Sequence, residues 1–292
     1  MIGSALDTVV IVCTYRRSDL LDRAVRRVFA QEGYDRQFVV VVDDGSADEG
    51  RTGAVLAVLE HDFSDRLVVV RHDRNRGVAT ARTTGVKVAI EHGASLICFH
   101  DDDDYWPPNR LALGAEPFQD PETALTYGEQ HRIDDSVHQT GEINVVWSSP
   151  SVGYRRAIFD GLIRGRVYLP FQTVMLRAEL CSRLIPFKPV RESEDVDFAL
   201  RAMGLVHRSP NLKSVFVPRV LAYYVTSPDS LSQTDENNRM RESVHREILA
   251  EHVPRRVVDV MFAISNHVLR PVGVRLGKAR KRVRPPERAF EG

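Results

Sequence analysis

Within its first hundred residues the chain alternates between unbroken β-branched apolar runs and amphipathic stretches of helical period, and few folds accept that pattern. Thr8–Thr14 is a continuous run, apolar at its centre and β-branched at every position but Cys13, as a strand covered on both faces requires. Past Ser18, read as an N-cap, Leu20, Leu21, Ala24, Val25, Val28 and Phe29 share one helical stripe. Gln37–Val42 reads as a second strand, Val55–Leu59 lies in a second helix, and Leu67–Val70 is a third strand. Val78, Ala81, Gly85, Val86 and Ala89 mark a third helix, and Ser95–Phe99 a fourth strand. Strand and helix in strict alternation predict an α/β fold, a mostly parallel sheet with right-handed crossovers and helices on both faces.

Beyond Pro121 the periodicity weakens. Strand-like pieces stand at Thr123–Tyr127, Asn144–Trp147, Thr173–Leu176 and Val215–Val217, and a helix begins near Glu194. We expect one domain in two halves, 1–120 and 121–235, followed by a helical, basic extension over 236–292. A chain of 292 residues buries a sizeable core without disulfides. Its three cysteines, Cys13, Cys98 and Cys181, are odd in number and far apart, which suits a reducing compartment. No apolar run approaches the roughly 20 residues that span a bilayer, and the start lacks a charged leader, so a cytoplasmic protein is expected. Of 40 basic residues five are lysines; that arginine bias fits a GC-rich bacterial genome.

Charge is uneven along the chain. The 40 basic and 40 acidic residues cancel, yet 253–292 carries ten basic residues against three acidic, +7, which leaves −7 on 1–252. An acidic body argues against nucleic acid as a partner. The tail suits peripheral contact with the inner face of an anionic membrane, with Val257, Val258, Met261, Phe262, Ile264 and Leu269 as an apolar face. A solvated tail, or a helix packed on the acidic body, is the competing reading and the favoured one.

Parallel sheets bind ligands beyond the carboxyl ends of their strands. That rule gathers Thr14–Arg17, Asp43–Ser46, His72–Gly77 and His100–Asp104 on one edge. Asp101–Asp104 is the sharpest feature, because four adjacent carboxylates repel unless a cation offsets them. In an extended segment Asp101 and Asp103 would face one site, and paired carboxylates with phosphate oxygens suit Mn²⁺ or Mg²⁺. A solvated acidic turn is the competing reading. Asp43-Asp44-Gly45-Ser46 is a turn-forming string whose acids could also accept from a ribose or base. At Asn75-Arg76-Gly77 a strand hands over to a helix, where Gly77 permits close backbone approach and the helix start favours phosphate, with Arg82 in reach of a diphosphate.

In order and spacing these segments resemble the GT-A fold, nucleotide-sugar-dependent glycosyltransferases of family 2. The matches are Val10-Ile11-Val12-Cys13-Thr14-Tyr15, Val42-Asp43-Asp44-Gly45-Ser46, Asn75-Arg76-Gly77 with Ala81-Arg82, His100 through Trp106, and Ser193-Glu194-Asp195. The resemblance implies an inverting transferase moving a sugar from a nucleoside-diphosphate sugar, with UDP first among the nucleotides, to an acceptor hydroxyl. It implies Tyr15 stacking on the base, Asp44 on the base edge, Asp101 on the ribose, Asp103 on a Mn²⁺ or Mg²⁺ ion, and Asp195, paired with Glu194, as general base. Thr14, Arg17, Asp43, Asn75, Gly77, Arg82 and Asp102 complete the expected nucleotide-sugar set. Trp147, Gln172 and Arg191 are expected on the acceptor side, and Asp197 is read as a bystander.

The sequence departs from the family where Cys13 replaces a Pro, Arg16 an Asn, and Ser227 a late His, which leaves a second protein ligand for the metal open. Two alternatives stand beside the transferase: a non-catalytic sugar-nucleotide binder, and a sugar-1-phosphate nucleotidyltransferase, whose Gly-rich loop after the first strand is absent here.

Overall fold

In the computed structural model the described residues are 7–137, 143, the backbone of 145–148, 169–189, 194–226 and 250. The first half follows the alternation: β1 (Thr8–Thr14), α1 (Ser18–Phe29), β2 (Gln37–Asp43), α2 (Arg51–Asp62), β3 (Leu67–Arg71), α3 (Val78–Glu91) and β4 (Leu96–Asp101). Then come α4 (Arg110–Ala115), β5 (Thr123–Asp134), β6 (Val145–Ser148), β7 (Met175–Arg177), α5 (Ala178–Ser182), α6 (Glu194–Arg208) and β8 (Lys213–Thr226).

All eight strands form one sheet in the order β3-β2-β1-β4-β7-β5-β6, with β8 joined to β5. β3, β2, β1 and β4 are mutually parallel. β7 runs antiparallel to both β4 and β5, and β8 runs parallel to β5. The sheet is therefore mixed but mostly parallel, and both halves of the chain contribute to it.

Period-two alternation sends successive β1 and β2 side chains to opposite faces. Val9, Ile11, Val40 and Val42 pack with Ala81, Val86 and Ala89 of α3 and with Phe171, Phe187 and Phe198. Val10, Val12, Val39 and Val41 pack with Leu21, Val25 and Val28 of α1 and with Leu56 and Leu59 of α2. Each such side chain contributes about 1.5–3 kcal/mol on burial. Two covered faces explain why these strands read as unbroken apolar runs.

Three expectations change. Ser18 is the first residue of α1 and not its cap; Arg17 holds the cap position with no side-chain cap bond, since a guanidinium has no acceptor to offer the helix amides. β5 and β8 run 12 and 14 residues, far beyond the short pieces expected. They pair with each other through several register shifts, and Pro218 and the charged positions of β8 hide its continuity. Among the described residues no helix is long and apolar enough to cross a membrane. The expected helical extension with its +7 tail, and the positions of Arg191, Ser193 and Ser227, lie outside the described residues.

Candidate active site

The carboxyl ends of β1, β2, β3 and β4 do converge, and hydrogen bonds knit their loops together. Asp43 Oδ1 accepts from the Ser46 amide at 2.9 Å, closing the turn after β2. Gly45 sits there at φ +75°, where an added Cβ would lie 2.3 Å from the Arg74 carbonyl carbon. Only glycine lets this turn press against the loop after β3. Asp44 then binds the two loops: its carboxylate accepts from the amides of Arg76 (3.0 and 3.1 Å) and Gly77 (2.8 Å) and contacts His72 Nδ1 at 2.7 Å. Four contacts saturate two oxygens. Asp44, expected on a nucleotide base, is thus spent inside the protein, whereas Asp43 Oδ2 has no partner among the described residues.

Gly77 takes φ +85° with nothing within 4 Å of an added Cβ, so it serves the backbone bend into α3 and leaves open space beside it. Asn75 is exposed in the same loop. Tyr15 is 41% exposed at the opposite lip, with the Arg16 guanidinium 5.7 Å from its ring. Arg16 donates to Ser46 Oγ through its amide and to the Ala47 carbonyl through its side chain, tying β1 to the β2 turn.

The acid run is a turn and not an extended segment: the Asp104 amide donates to the Asp101 carbonyl at 3.1 Å. Asp101 and Asp103 are nonetheless the half-exposed pair, and Asp102 and Asp104 are buried. The cations that offset the cluster are guanidiniums. Arg17 Nη1 reaches Asp102 at 3.0 Å and Asp103 at 2.6 Å, while Thr14 Oγ1 donates to Asp102 at 2.7 Å. Arg82 Nη2 donates to Asp101 at 2.9 Å. Asp104 Oδ1 accepts from the Val225 amide at 3.0 Å, and its Oδ2 is buried without a partner among the described residues. Burial pushes Asp102 up to about 6 against the pull of Arg17. Burial raises Asp103 too, again opposed by Arg17. It lifts Asp104 well above the carboxylate range, and the charges of Asp103 and Asp101 add to that rise.

Arg82, expected to reach a diphosphate, has a different task. It is 5% exposed and lies 4.7 Å over the Phe171 ring. Its Nη1 donates to Glu194 Oε1 at 2.6 Å. One buried guanidinium therefore fixes Asp101, at the end of β4, relative to the start of α6, more than ninety residues away in sequence. Gln172, placed on the acceptor side by sequence, braces Asp101 instead, accepting from its amide at 3.2 Å and donating to its carboxylate. Asp195 follows Glu194 and lies within the field of Arg82 and Asp101. Burial raises it and Arg82 draws it back.

Asp197 is no bystander. It is fully buried and pairs with Arg201 at 2.7 Å and Lys188 at 3.2 Å, anchoring the first turn of α6 to the segment before it. Burial raises all three cysteine thiols, so none is poised as a thiolate.

The structure thus assembles Thr14, Arg17, Asp43, Asp44, Gly77, Arg82, Asp101, Asp102, Asp103, Gln172, Glu194 and Asp195 around one edge of the sheet, with Tyr15 and Asn75 at its rim. Trp147 pairs in register with Arg132 on β5, but its side chain lies outside the described residues. Phe171, which sequence groups with Gln172 on the acceptor side, lies under the Arg82 guanidinium, and His72, which sequence places beside the site in a structural role, contacts Asp44, 28 residues away.

A divalent cation is implied by the resemblance, and the donor set admits one. Asp103 is 42% exposed in its side chain and gives only Oδ2 to Arg17, leaving a hard oxygen donor of the kind Mg²⁺ and Mn²⁺ take. Among the described residues no group of three or more acids, histidines or cysteines could hold a metal. Diphosphate oxygens and water would supply most of the shell.

Residues 9–179 match the family model of glycosyl transferase family 2. Succinoglycan biosynthesis protein ExoU of Rhizobium meliloti is 38% identical over 105 residues, 36% of this chain and 28% of ExoU. An uncharacterized glycosyltransferase of Nostoc sp. is 32% identical over 125 residues, 43% of this chain and 36% of that protein. The chain thus matches about a third of the length of these curated relatives. Among solved structures, the mannosyltransferase PcManGT from Pyrobaculum calidifontis, in complex with GDP-Man and Mn²⁺, superposes with a TM-score of 0.59 at 18% identity, covering 93% of this chain and 74% of that one. S. aureus TarS with UDP-GlcNAc gives 0.58 at 18% identity, over 93% and 77%. These likenesses are of fold, and they agree with the mixed sheet described above.

Proposed function

Because the chain belongs to glycosyl transferase family 2, we propose that it moves a glycosyl group from a nucleoside-diphosphate sugar, a UDP-sugar foremost, to an acceptor hydroxyl with inversion at the anomeric carbon. The observation that carries this reading is the buried Arg82, which holds Asp101 at 2.9 Å and Glu194 at 2.6 Å. Carboxylates from both halves of the chain thereby meet at the sheet edge where α/β folds take their ligands.

Tyr15 offers an exposed ring for a base, and Asp43, with one oxygen uncommitted, is better placed than Asp44 to accept from the nucleotide. Asp103, with Asp101 beside it, would hold the cation, which when bound supplies Lewis-acid neutralisation of the leaving diphosphate. Asp195 takes the acceptor proton as the hydroxyl oxygen bonds to the anomeric carbon. The bond from that carbon to the phosphate oxygen breaks, and its electron pair leaves with the diphosphate. Burial raises Asp195, which brings its basicity nearer the working pH of a general base. The charge of Arg82 opposes that rise.

Replacing Asp195 by Asn should leave the affinity for UDP within about twofold and lower transfer by roughly 10² to 10⁴-fold, the usual share of a general base. NMR of the product should show the anomeric configuration opposite to the donor's. Near-normal turnover of Asp195→Asn, or a retained configuration, overturns the mechanism. Nucleotide binding with no transfer or donor hydrolysis in the unaltered protein would favour a non-catalytic binder.

A further inference from the structure

The acid turn already holds two guanidiniums, and they sit very differently. The Arg82 side chain is 6% exposed and locked between Asp101 and Glu194. The Arg17 side chain is 48% exposed and bridges the buried Asp102 and the half-exposed Asp103 through Nη1 alone. Among the described residues its Nε and Nη2 have no acceptor. We propose that Arg17 is a positioning residue that stands in for the divalent cation on Asp103 while the donor is absent and transfers to the diphosphate when the donor arrives. Metal affinity is thereby made conditional on nucleotide. The inference rests on the reading of Asp103 as the metal-holding carboxylate.

A guanidinium on Asp103 Oδ2 repels an incoming cation and occupies one of its ligand atoms. A diphosphate presents the planar pair of oxygens that a guanidinium binds bidentately, and Arg17 has two donors uncommitted for it. Its position directly after β1 sets it at the same strand-end edge as the Gly77 loop. Once Arg17 turns to phosphate, Asp103 Oδ2 is released at the moment phosphate oxygens become available to complete a metal shell. Metal without nucleotide is disfavoured, and so is nucleotide without metal.

Mn²⁺ binding followed by electron paramagnetic resonance, with and without UDP or GDP, tests this on the full chain and on its Arg17→Met, Arg17→Lys and Asp103→Asn variants. The unaltered protein should bind Mn²⁺ weakly alone and roughly tenfold or more tightly with nucleotide, within the usual range of coupling between sites. Arg17→Met should bind Mn²⁺ alone about tenfold more tightly than the unaltered protein and lose most of the nucleotide dependence. Should Arg17→Met fail to fold, Arg17→Lys, a single-point cation unable to hold both acids in the same way, should shift in the same direction by a smaller factor. Asp103→Asn should lose nucleotide-dependent Mn²⁺ binding.

Arginine variants that bind Mn²⁺ alone no better than the unaltered protein overturn the inference, while loss in Asp103→Asn would leave the metal reading standing. Undiminished binding in Asp103→Asn, or no Mn²⁺ binding in any protein with either nucleotide, removes the metal reading and the inference with it.

Discussion

His100 sets a clear acid limit on this fold. It occupies the penultimate position of β4, 1% exposed, with both ring nitrogens buried and unpartnered among the described residues. Its ring stacks on Trp106 at 4.3 Å. Burial, reinforced by the charges of Arg27 and Arg110, depresses its pKa from 6.5 to about 3. A depressed folded-state pKa means that the unfolded chain takes a proton the native state refuses. Stability from this group is therefore complete above about pH 6.5 and is lost as pH falls toward 3. Each tenfold rise in proton activity below pH 6.5 costs about 1.4 kcal/mol, so lowering the pH from 7 to 5 costs about 2 kcal/mol at this one residue. Phe in its place keeps the stack and removes both orphaned nitrogens, so His100→Phe should be at least as stable at pH 7. Urea unfolding of both proteins at pH 7 and pH 5 measures the difference of differences. Asp102, raised to about 6, has the opposite sign, stabilising as pH falls through that value. It is common to both proteins and cancels in the comparison. Identical pH dependence in the two proteins would refute the assignment of a neutral, depressed His100.

Two further substitutions probe the site's scaffolding. Arg82→Met leaves Asp101 and Glu194 without their buried cation and should destabilise by about 3–5 kcal/mol, seen as a lowered melting temperature; it should also move the acidic limb of the activity–pH profile upward, because Asp195 loses the charge that draws its pKa back. Gly45→Ala combines φ +75° with a 2.3 Å approach to the Arg74 backbone, whereas Gly77→Ala meets only the unfavourable φ of +85°; denaturant midpoints should show Gly77→Ala costing about 1–3 kcal/mol and Gly45→Ala clearly more, and equal losses would sink the clash.

Local sequence revealed the first half of the fold because β1, β2 and β4 are covered on both faces, and such strands need apolar, β-branched runs whatever surrounds them. It revealed β5 and β8 only in fragments, since pairing across the sheet and not an apolar run holds Glu129 to Arg132 in β5, and the register skips Pro218 and Arg219 in β8. The strand-end rule brought the loops together correctly, yet the charge balance of the acid turn was beyond its reach. Four adjacent aspartates demand positive charge, and sequence cannot say whether a metal or a guanidinium answers. Arg17 lies 85 residues from Asp102, and Arg82 lies 112 from Glu194. Asp44 shows the same limit, for its saturation depends on amides of a loop 32 residues away.

The acid turn is also stitched to β8. Tyr105 and Tyr223 exchange backbone hydrogen bonds at 3.0 and 2.7 Å, and the Val225 amide donates to Asp104 at 3.0 Å. The residues that would meet the donor are therefore set in place by a strand from the far end of the described chain. In recombination terms the first half is not a portable cassette. A chimera that grafts residues 1–120 onto the second half of another protein would break this seam and leave a buried aspartate facing a foreign edge. In any such exchange β8 and the acid turn would have to be inherited together as one unit.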